Sequence, residues 1–286
     1  VSTPLERLYL PRVLTPQQAS HLVGEMVTER EPSLLAPGTV VHDAETGAPV
    51  LAYLPLDEPA ALRRAALSVD FDKSTLGRQK NYRSRSRTFG FSPRRPVVLR
   101  EGCTLAALAH EQPDVERVLE SYADRFSAAL ETIDPDIVSK DQATLGDVLP
   151  DWRMGEAKLW TSGVVNDTAQ LPYHRDGFNF ATWSAMPVVR RGVRGGHLHL
   201  PEYDVTVPCM DSTVTYFPGY TYVHGVTPMT KARADGYRIS IVYYALKGMK
   251  NCREAAEETR YARTRRTERE ADMARRLAAG DKEIPR

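Results

Sequence analysis

Long apolar runs, closely spaced cysteines and a large excess of either charge are all missing from this 286-residue chain. No hydrophobic stretch approaches the roughly 20 residues of a membrane-spanning helix, and the first residues lack the basic-then-apolar pattern of a secretory signal. The sequence therefore predicts a cytoplasmic protein with no membrane partner. Cysteine occurs only as Cys103, Cys209 and Cys252, widely spaced and with no C-x-x-C pair. That spacing argues against a disulfide framework or structural zinc, and the expectation is incidental buried thiols. With 38 Lys+Arg against 37 Asp+Glu, the net charge of +1 excludes a uniformly polybasic binder. A composition of 42% hydrophobic and 26% charged residues excludes a disordered or collagenous chain and leaves enough apolar side chains for a substantial core.

What is present is unevenly distributed. Residues 73–100 hold nine basic side chains (Lys73, Arg78, Lys80, Arg83, Arg85, Arg87, Arg94, Arg95, Arg100) and no acidic one, with Tyr82, Phe89 and Phe91 interleaved. Residues 250–286 carry eleven basic and eight acidic residues among many alanines, which reads as a charged, solvated C-terminal helix. Thr15-Pro16 can cap a helix running to about Glu29. Val115, Val118, Leu119, Tyr122, Phe126 and Leu130 repeat at helical spacing after Pro113, whereas the Pro-rich stretch 49–59 reads as loop. From about Glu156 the texture turns to short, alternating, β-branched and aromatic runs at 158–165, 197–200, 213–217, 220–224 and 237–245. Together these predict an α+β fold: a double-stranded β-helix, or jelly roll, supported by N-terminal helices and followed by a C-terminal helix. A single domain over residues 1–286 is expected, divided into α/β support (1–150), a jelly-roll core (151–249) and the helix (250–286).

Chemistry concentrates in the β-rich part. In extended backbone, His174 and Asp176 of His174-Arg175-Asp176 project from one face while Arg175 points away. A third ligand, for which His224 is the candidate, would complete a facial 2-His-1-carboxylate set for non-haem Fe(II) with positions left open for substrate and O2. Further on, Arg238 and Ser240 share one face of a strongly β run and Tyr237, Ile239 and Ile241 the other. An arginine in a barrel mouth can hold the distal carboxylate of 2-oxoglutarate through two charge-assisted hydrogen bonds, with a hydroxyl adding a third. A rival metal set lies in His197 and His199 with Glu202, of the kind cupins use, but it leaves His174, Asp176, Arg238 and Ser240 without a role.

The segment His174-Arg175-Asp176-Gly177-Phe178-Asn179 resembles the H-R-D-x-x-N segment of the TET/JBP family of Fe(II)/2-oxoglutarate dioxygenases, and residues 238–244, R-I-S-I-V-Y-Y, resemble its R-I-S-L-V-F-Y strand. The likeness spans about residues 158–247, and residues 85–91 are similar in flavour to the segment preceding that family's core. It implies oxidation of the 5-methyl group of a pyrimidine flipped out of double-stranded DNA, 5-methylcytosine to 5-hydroxymethylcytosine in first place and thymine as the alternative, with the extent of further oxidation open. It makes His174, Asp176 and His224 the iron ligands, Arg238 and Ser240 the cosubstrate anchor and Asn179 a base contact. An amide beside the metal-binding Asp offers the donor and acceptor needed to read a pyrimidine edge, although Asn also closes turns. The chain departs from animal TET enzymes in lacking their Cys-rich zinc-binding portion and looks like a minimal microbial or phage-type member.

A base-flipping enzyme must hold the phosphate backbone, and Arg83, Arg85 and Arg87 are the candidate contacts, with Arg190, Arg191 and Arg194 a second patch. Phe178, Phe180 and Trp183 could form a stacking wall or belong to the core; Tyr216 and Tyr222 are equally ambiguous. A 2-oxoglutarate hydroxylase acting on a small molecule or a protein side chain, and a non-enzymatic DNA-binding scaffold, are the competing readings.

Overall fold

A computed structural model describes residues 4–72, 85–95, 100–167 and 170–280. Its main sheet has nine strands, and residues before 150 supply five of them. In chain order these are β1 (Glu6–Leu10), β2 (Thr39–Asp43), β3 (Pro49–Pro55), β4 (Arg85–Ser92) and β5 (Thr104–Leu105). The later part adds β6 (Ser162–Asp167), β7 (Ser184–Arg191), β11 (Thr213–Phe217) and β14 (Tyr237–Tyr244). The strand order is β1-β2-β3-β11-β7-β14-β6-β4-β5, antiparallel except for the β1–β2 edge. The shorter β9 (Leu198–Leu200), β10 (Val205–Val207) and β12 (Gly225–Val226) make a second sheet in the order β10-β9-β12, and β8 (Val193–Gly195) pairs with β13 (Met229–Lys231). This is the expected α+β jelly roll.

Strand alternation assigns the two faces of the main sheet to different tasks. On β14, Ile239, Ile241 and Tyr243 join a core with Leu62 of α2 (Pro59–Leu67), Leu108 of α3 (Ala107–Glu111), Leu119 of α4 (Pro113–Ser121), Phe126 of α5 (Ala123–Ile133) and Ile137 of α6 (Pro135–Thr144). Each such side chain contributes about 1.5–3 kcal/mol on full burial. The opposite face packs Leu51, Tyr53, Met186 and Phe217 against Leu198, Leu200, Val205 and Val207 of the small sheet.

Several expectations need correction. The helix opened by Thr15 forms a capping box but ends early, as α1 (Pro16–Ser20). Beyond it Gly24, at φ +94°, donates to the Tyr173 carbonyl and Glu25 accepts from the Tyr173 amide, so the chain becomes a wall beside the H-R-D segment. The Pro-rich stretch 49–59 is a buried strand followed by a helix: Pro49 and Pro55 sit at the ends of β3, and Pro59 occupies the first turn of α2. The run after Pro113 splits into α4 and α5 at Tyr122, whose hydroxyl donates to the Glu58 carbonyl at 2.6 Å. Residues 220–224 turn instead of extending, because the Pro218 carbonyl accepts from the Thr221 and Tyr222 amides.

The thiol expectation is overturned as well. Cys103 and Cys252, 149 residues apart in sequence, form a disulfide, and only Cys209 is a free, buried thiol. The disulfide lies beside the start of the 24-residue helix α7 (Ala255–Ala278). There the buried Glu258 accepts from the Cys103 and Arg253 amides and pairs with Arg94. The rest of α7 is mostly exposed. Among the described residues no helix is long and apolar enough to cross a membrane.

Candidate active site

The two segments that carry the candidate ligands are stitched together by backbone hydrogen bonds. His174 and His224 exchange both amide–carbonyl bonds, at 2.9 and 3.0 Å, and the Asp176 amide donates to the Gly219 carbonyl at 3.0 Å. A Cβ at Gly219 would lie 2.3 Å from Asp176 Oδ2, so a larger residue there would displace that carboxylate. The result is that ligand atoms of His174, Asp176 and His224 all lie within 4.8 Å of one another. His174 Nε2 stands 3.7 Å and His224 Nε2 3.9 Å from Asp176 Oδ1.

Both imidazoles are oriented from behind. His174 Nδ1 is 2.8 Å from the Pro172 carbonyl and His224 Nδ1 is 3.0 Å from the Tyr222 carbonyl. A carbonyl can only accept, so each Nδ1 carries the proton and each Nε2 turns its lone pair toward the common point. Burial, reinforced by the neighbouring His174, lowers the pKa of His224 to about 4, which keeps it neutral and able to ligate. Two imidazoles and one carboxylate on one side of an open space fit a divalent transition metal with free coordination positions.

That space is a cavity of about 550 Å³ bounded by β6, β7, β14 and the ligand segments. Arg238, Ser240, Val242 and Tyr244 line it, while Ile239 and Ile241 point into the helix-covered core. Arg238 is 1% exposed, and Gly196, at φ +71°, makes room for it, since a Cβ there would lie 2.7 Å from Arg238 Cδ. The surroundings of Arg238 are cationic. Burial and then the Arg238 charge lower the pKa of Arg190, and His197 is lowered by burial with Arg190 and Arg238 contributing. A cavity with a metal-ligating wall and a buried cationic wall suits a small dianion that also chelates metal.

Asn179 lies in the cavity wall, 8% exposed, with its amide donating to the Asp176 carbonyl at 2.9 Å. Phe178 beside it lines the mouth and is 79% exposed. Phe180 and Trp183 do not extend that wall: Phe180 packs beside the disulfide, and Trp183 is in the core with its carbonyl taking the Trp160 indole N–H. Tyr216 and Tyr222 are core residues too.

The proposed phosphate contacts fare differently. Ser86 on β4 faces the cavity, so Arg85 and Arg87 point the other way. Arg87 is corrected outright: its side chain is 3% exposed and pairs with Glu111 at 2.6 Å, so no phosphate can reach it. Arg85 is about half exposed but pairs with Asp72 and Asp167 and lies over the Phe71 ring. Arg83 and Tyr82 lie outside the described residues. Phe89 is buried against Tyr243, and Phe91 packs edge-on to Trp152. Arg190 donates to the Cys209, Val193 and Gly195 carbonyls, whereas Arg191, paired with Asp235, and Arg194 are the exposed members of the second patch.

The rival His197/His199/Glu202 set does not converge. His197 bonds the Pro208 carbonyl, His199 bonds the Tyr173 hydroxyl and Asp204, and Glu202 pairs with arginines. Among the described residues, the only cluster able to hold a metal is His174, Asp176 and His224. Sequence reasoning missed Gly219 and the Pro172 and Tyr222 carbonyls. The Pro218-Gly219 pair was the one available signal, as a turn.

No protein-family model matches the sequence, and no curated protein is similar to it. Solved structures are similar in shape. NgTET1, solved in complex with 5mC DNA, is 18% identical, covers 84% of this chain and 94% of its own, and aligns with a TM-score of 0.53. The two share a fold. A 2OG-Fe(II) oxygenase family protein from Burkholderia pseudomallei (15% identical, 69% of this chain and 88% of its own) and a Pseudomonas putida prolyl-4-hydroxylase (12%, 69% and 93%) align at TM-scores of 0.44 and 0.41.

Proposed function

We propose that this protein is an Fe(II)/2-oxoglutarate-dependent dioxygenase that hydroxylates the 5-methyl group of 5-methylcytosine in DNA. The observation that carries the oxygenase reading is the convergence, in one cavity, of the His174/Asp176/His224 cluster with Arg238 and Ser240. His174 and His224 would hold Fe(II) through Nε2 and Asp176 through a carboxylate oxygen. Arg238 and Ser240 would take the distal carboxylate of 2-oxoglutarate. Fe(II) with 2-oxoglutarate and O2 supplies the oxidation of a C–H to a C–OH bond. The chain's own contribution is to orient the ligands, neutralise the cosubstrate's charge and shield the site with the apolar walls Leu171, Met186, Phe217 and Val242.

The DNA reading draws support from the H-R-D-G-F-N segment, whose Asn179 lines the cavity and whose exposed Phe178 stands at its mouth, and from the shared fold with a protein solved on 5mC DNA. The withdrawal of Arg87 and the pairing of Arg85 favour the second reading, a small-molecule or protein-side-chain hydroxylase, because they thin out the basic surface a duplex requires. Incubation of methylated and unmethylated duplexes with Fe(II) and 2-oxoglutarate, followed by nucleoside mass spectrometry, separates the two. 5-Hydroxymethylcytosine from the methylated duplex alone is the expected result. Cosubstrate turnover with unchanged nucleosides on both duplexes, and on a thymine-only control, would defeat the DNA reading.

A further inference from the structure

Glu202 is a buried carboxylate, 1% exposed, outside the cavity and not a metal ligand. One of its oxygens reaches both segments that carry the candidate ligands. Oε1 accepts from Arg175 Nη2 at 3.1 Å and from the Val223 amide at 3.3 Å. Arg175 stands between His174 and Asp176, and Val223 immediately precedes His224, so a single oxygen joins both ligand-bearing segments from behind. Arg175 adds bonds of its own to the Thr221 and Pro16 carbonyls. Oε2 lies 3.5 Å from Arg12 Nη1. Arg12 is fixed by the Tyr203 hydroxyl and lies over the Tyr203 and Tyr222 rings, and Tyr203 in turn donates to Asp43 Oδ2 at 2.7 Å. The backbone of Glu202 is held as well, its carbonyl accepting from the Val13 and Leu14 amides.

We infer that Glu202, acting through Arg175 and the Val223 amide, is a positioning residue that sets the separation and orientation of His174, Asp176 and His224 before metal binds. This rests on the reading of the three as a metal site and is independent of the organic substrate. The Glu202 carboxylate is buried between two guanidinium groups and a backbone N–H, and it is the one carboxylate paired with Arg175 among the described residues. Removing its charge takes away the carboxylate partner of Arg175 and weakens the tie between the segments, while Arg12 keeps Asp43 at 3.8 Å. Arg175 is an outward-facing residue between two ligands, so slack in its anchor transmits directly to both. Groups that orient first-coordination ligands typically alter metal affinity about 10–100-fold when replaced.

The test uses the full-length protein and Co(II) alone, read by its visible d–d absorption, with thermal unfolding of the metal-free protein alongside. Wild type should show a saturable Co(II) spectrum that His174→Ala abolishes. Glu202→Gln and, separately, Arg175→Ala should each weaken Co(II) binding about 10–100-fold and shift the band positions. The double variant should be little worse than either single one, because both cut the same tie. Arg175 is partly exposed, so its variant decides the matter if Glu202→Gln does not fold. Wild-type Co(II) affinity and band positions in the folded variants would overturn the positioning role. A wild type that binds no Co(II), or binds it equally after His174→Ala, overturns the metal reading and this inference with it, and is recognisable because the fault appears before Glu202 is touched.

Discussion

The ligand segments and the basic stretch are both dense in polar side chains, yet the fold uses them in opposite ways. At the candidate metal cluster, backbone carbonyls and Gly219 take up the rear of each residue, and the atoms of His174, Asp176 and His224 able to ligate are left facing a cavity. In the described residues of the basic stretch and just beyond it, several side chains are instead consumed within the molecule: Arg87 by Glu111, Arg94 by Glu258, Arg100 by the Pro93 carbonyl, and Cys103 by Cys252. Among the described residues of this cluster, Arg87 and Arg94 are thus withdrawn from the surface by internal anions. An arginine is available to a ligand only if no intramolecular anion lies closer, and Glu111 and Glu258 are those anions for Arg87 and Arg94.

The contrast can be broken at several points. The largest effect is expected at the cluster itself, where His174→Ala or Asp176→Ala should eliminate turnover and bound iron; metal analysis of each purified variant checks this, and activity with normal iron content would end the assignment. If the basic segment is scaffold, breaking its covalent link should be felt by the whole fold. Cys103→Ser with Cys252→Ser should lower unfolding free energy by about 2–5 kcal/mol, given the long loop the disulfide closes. A denaturant midpoint unchanged by the double substitution would place the C-terminal clasp outside the cooperative fold.

At the cationic wall, Arg238→Met should raise the KM for 2-oxoglutarate roughly 10–150-fold, the range that follows from losing a charge-assisted bond of about 1.5–3 kcal/mol. A kcat effect with unaltered KM would contradict the anchoring role. Arg87→Ala should cost about 1–3 kcal/mol of stability, less than a wholly buried pair because Glu111 is 34% exposed and can be rehydrated. It should leave the salt dependence of DNA binding untouched, while Arg85→Ala should reduce that slope by at most about 1. A shallower slope after Arg87→Ala would return that residue to the interface.

The smallest effect is a balance of protons. His224 and His199 have folded pKa values of about 4, lowered by burial from 6.5, so their neutral forms favour folding above pH 6.5 and that stability is lost as pH falls toward 4. Glu116 and Asp141 are raised by burial to about 7 from 4.5 and 3.8, so their contribution is present at low pH and lost as pH rises to 7. The two pairs oppose each other between about pH 4.5 and 6.5, and metal-free protein should show little net change there. Asp141→Asn removes one opposing group, so stability should then fall with acidity across that window; urea titrations at several pH values would show whether it does.

Much of the β-rich half was legible because its signals are local. H-x-D in extended backbone puts two ligands on one side, and the alternation on β14 separates Arg238 and Ser240 from Ile239 and Ile241 whatever surrounds the strand. The 49–59 stretch misled because proline marks strand ends and helix starts as well as loops. The helix after Thr15 misled because the chain beyond Ser20 runs into successive tight turns and then pairs Gly24 and Glu25 with the distant Tyr173. Glu202 was noticed for the wrong reason: an acid near two histidines suggests a ligand, but the position of Arg175 makes it a strut.

By itself the sequence determined the jelly-roll class, the two inward faces and the identity of the residues able to hold a metal, since periodicity and side-chain chemistry survive without knowledge of neighbours. Only the tertiary structure decided that His224 joins His174 through a paired bridge, that Arg87 is spent on Glu111 and that Cys103 meets Cys252. Each of these depends on which segment arrives opposite another. That is fixed by burial and pairing summed over the whole chain and leaves no mark in any local stretch of it.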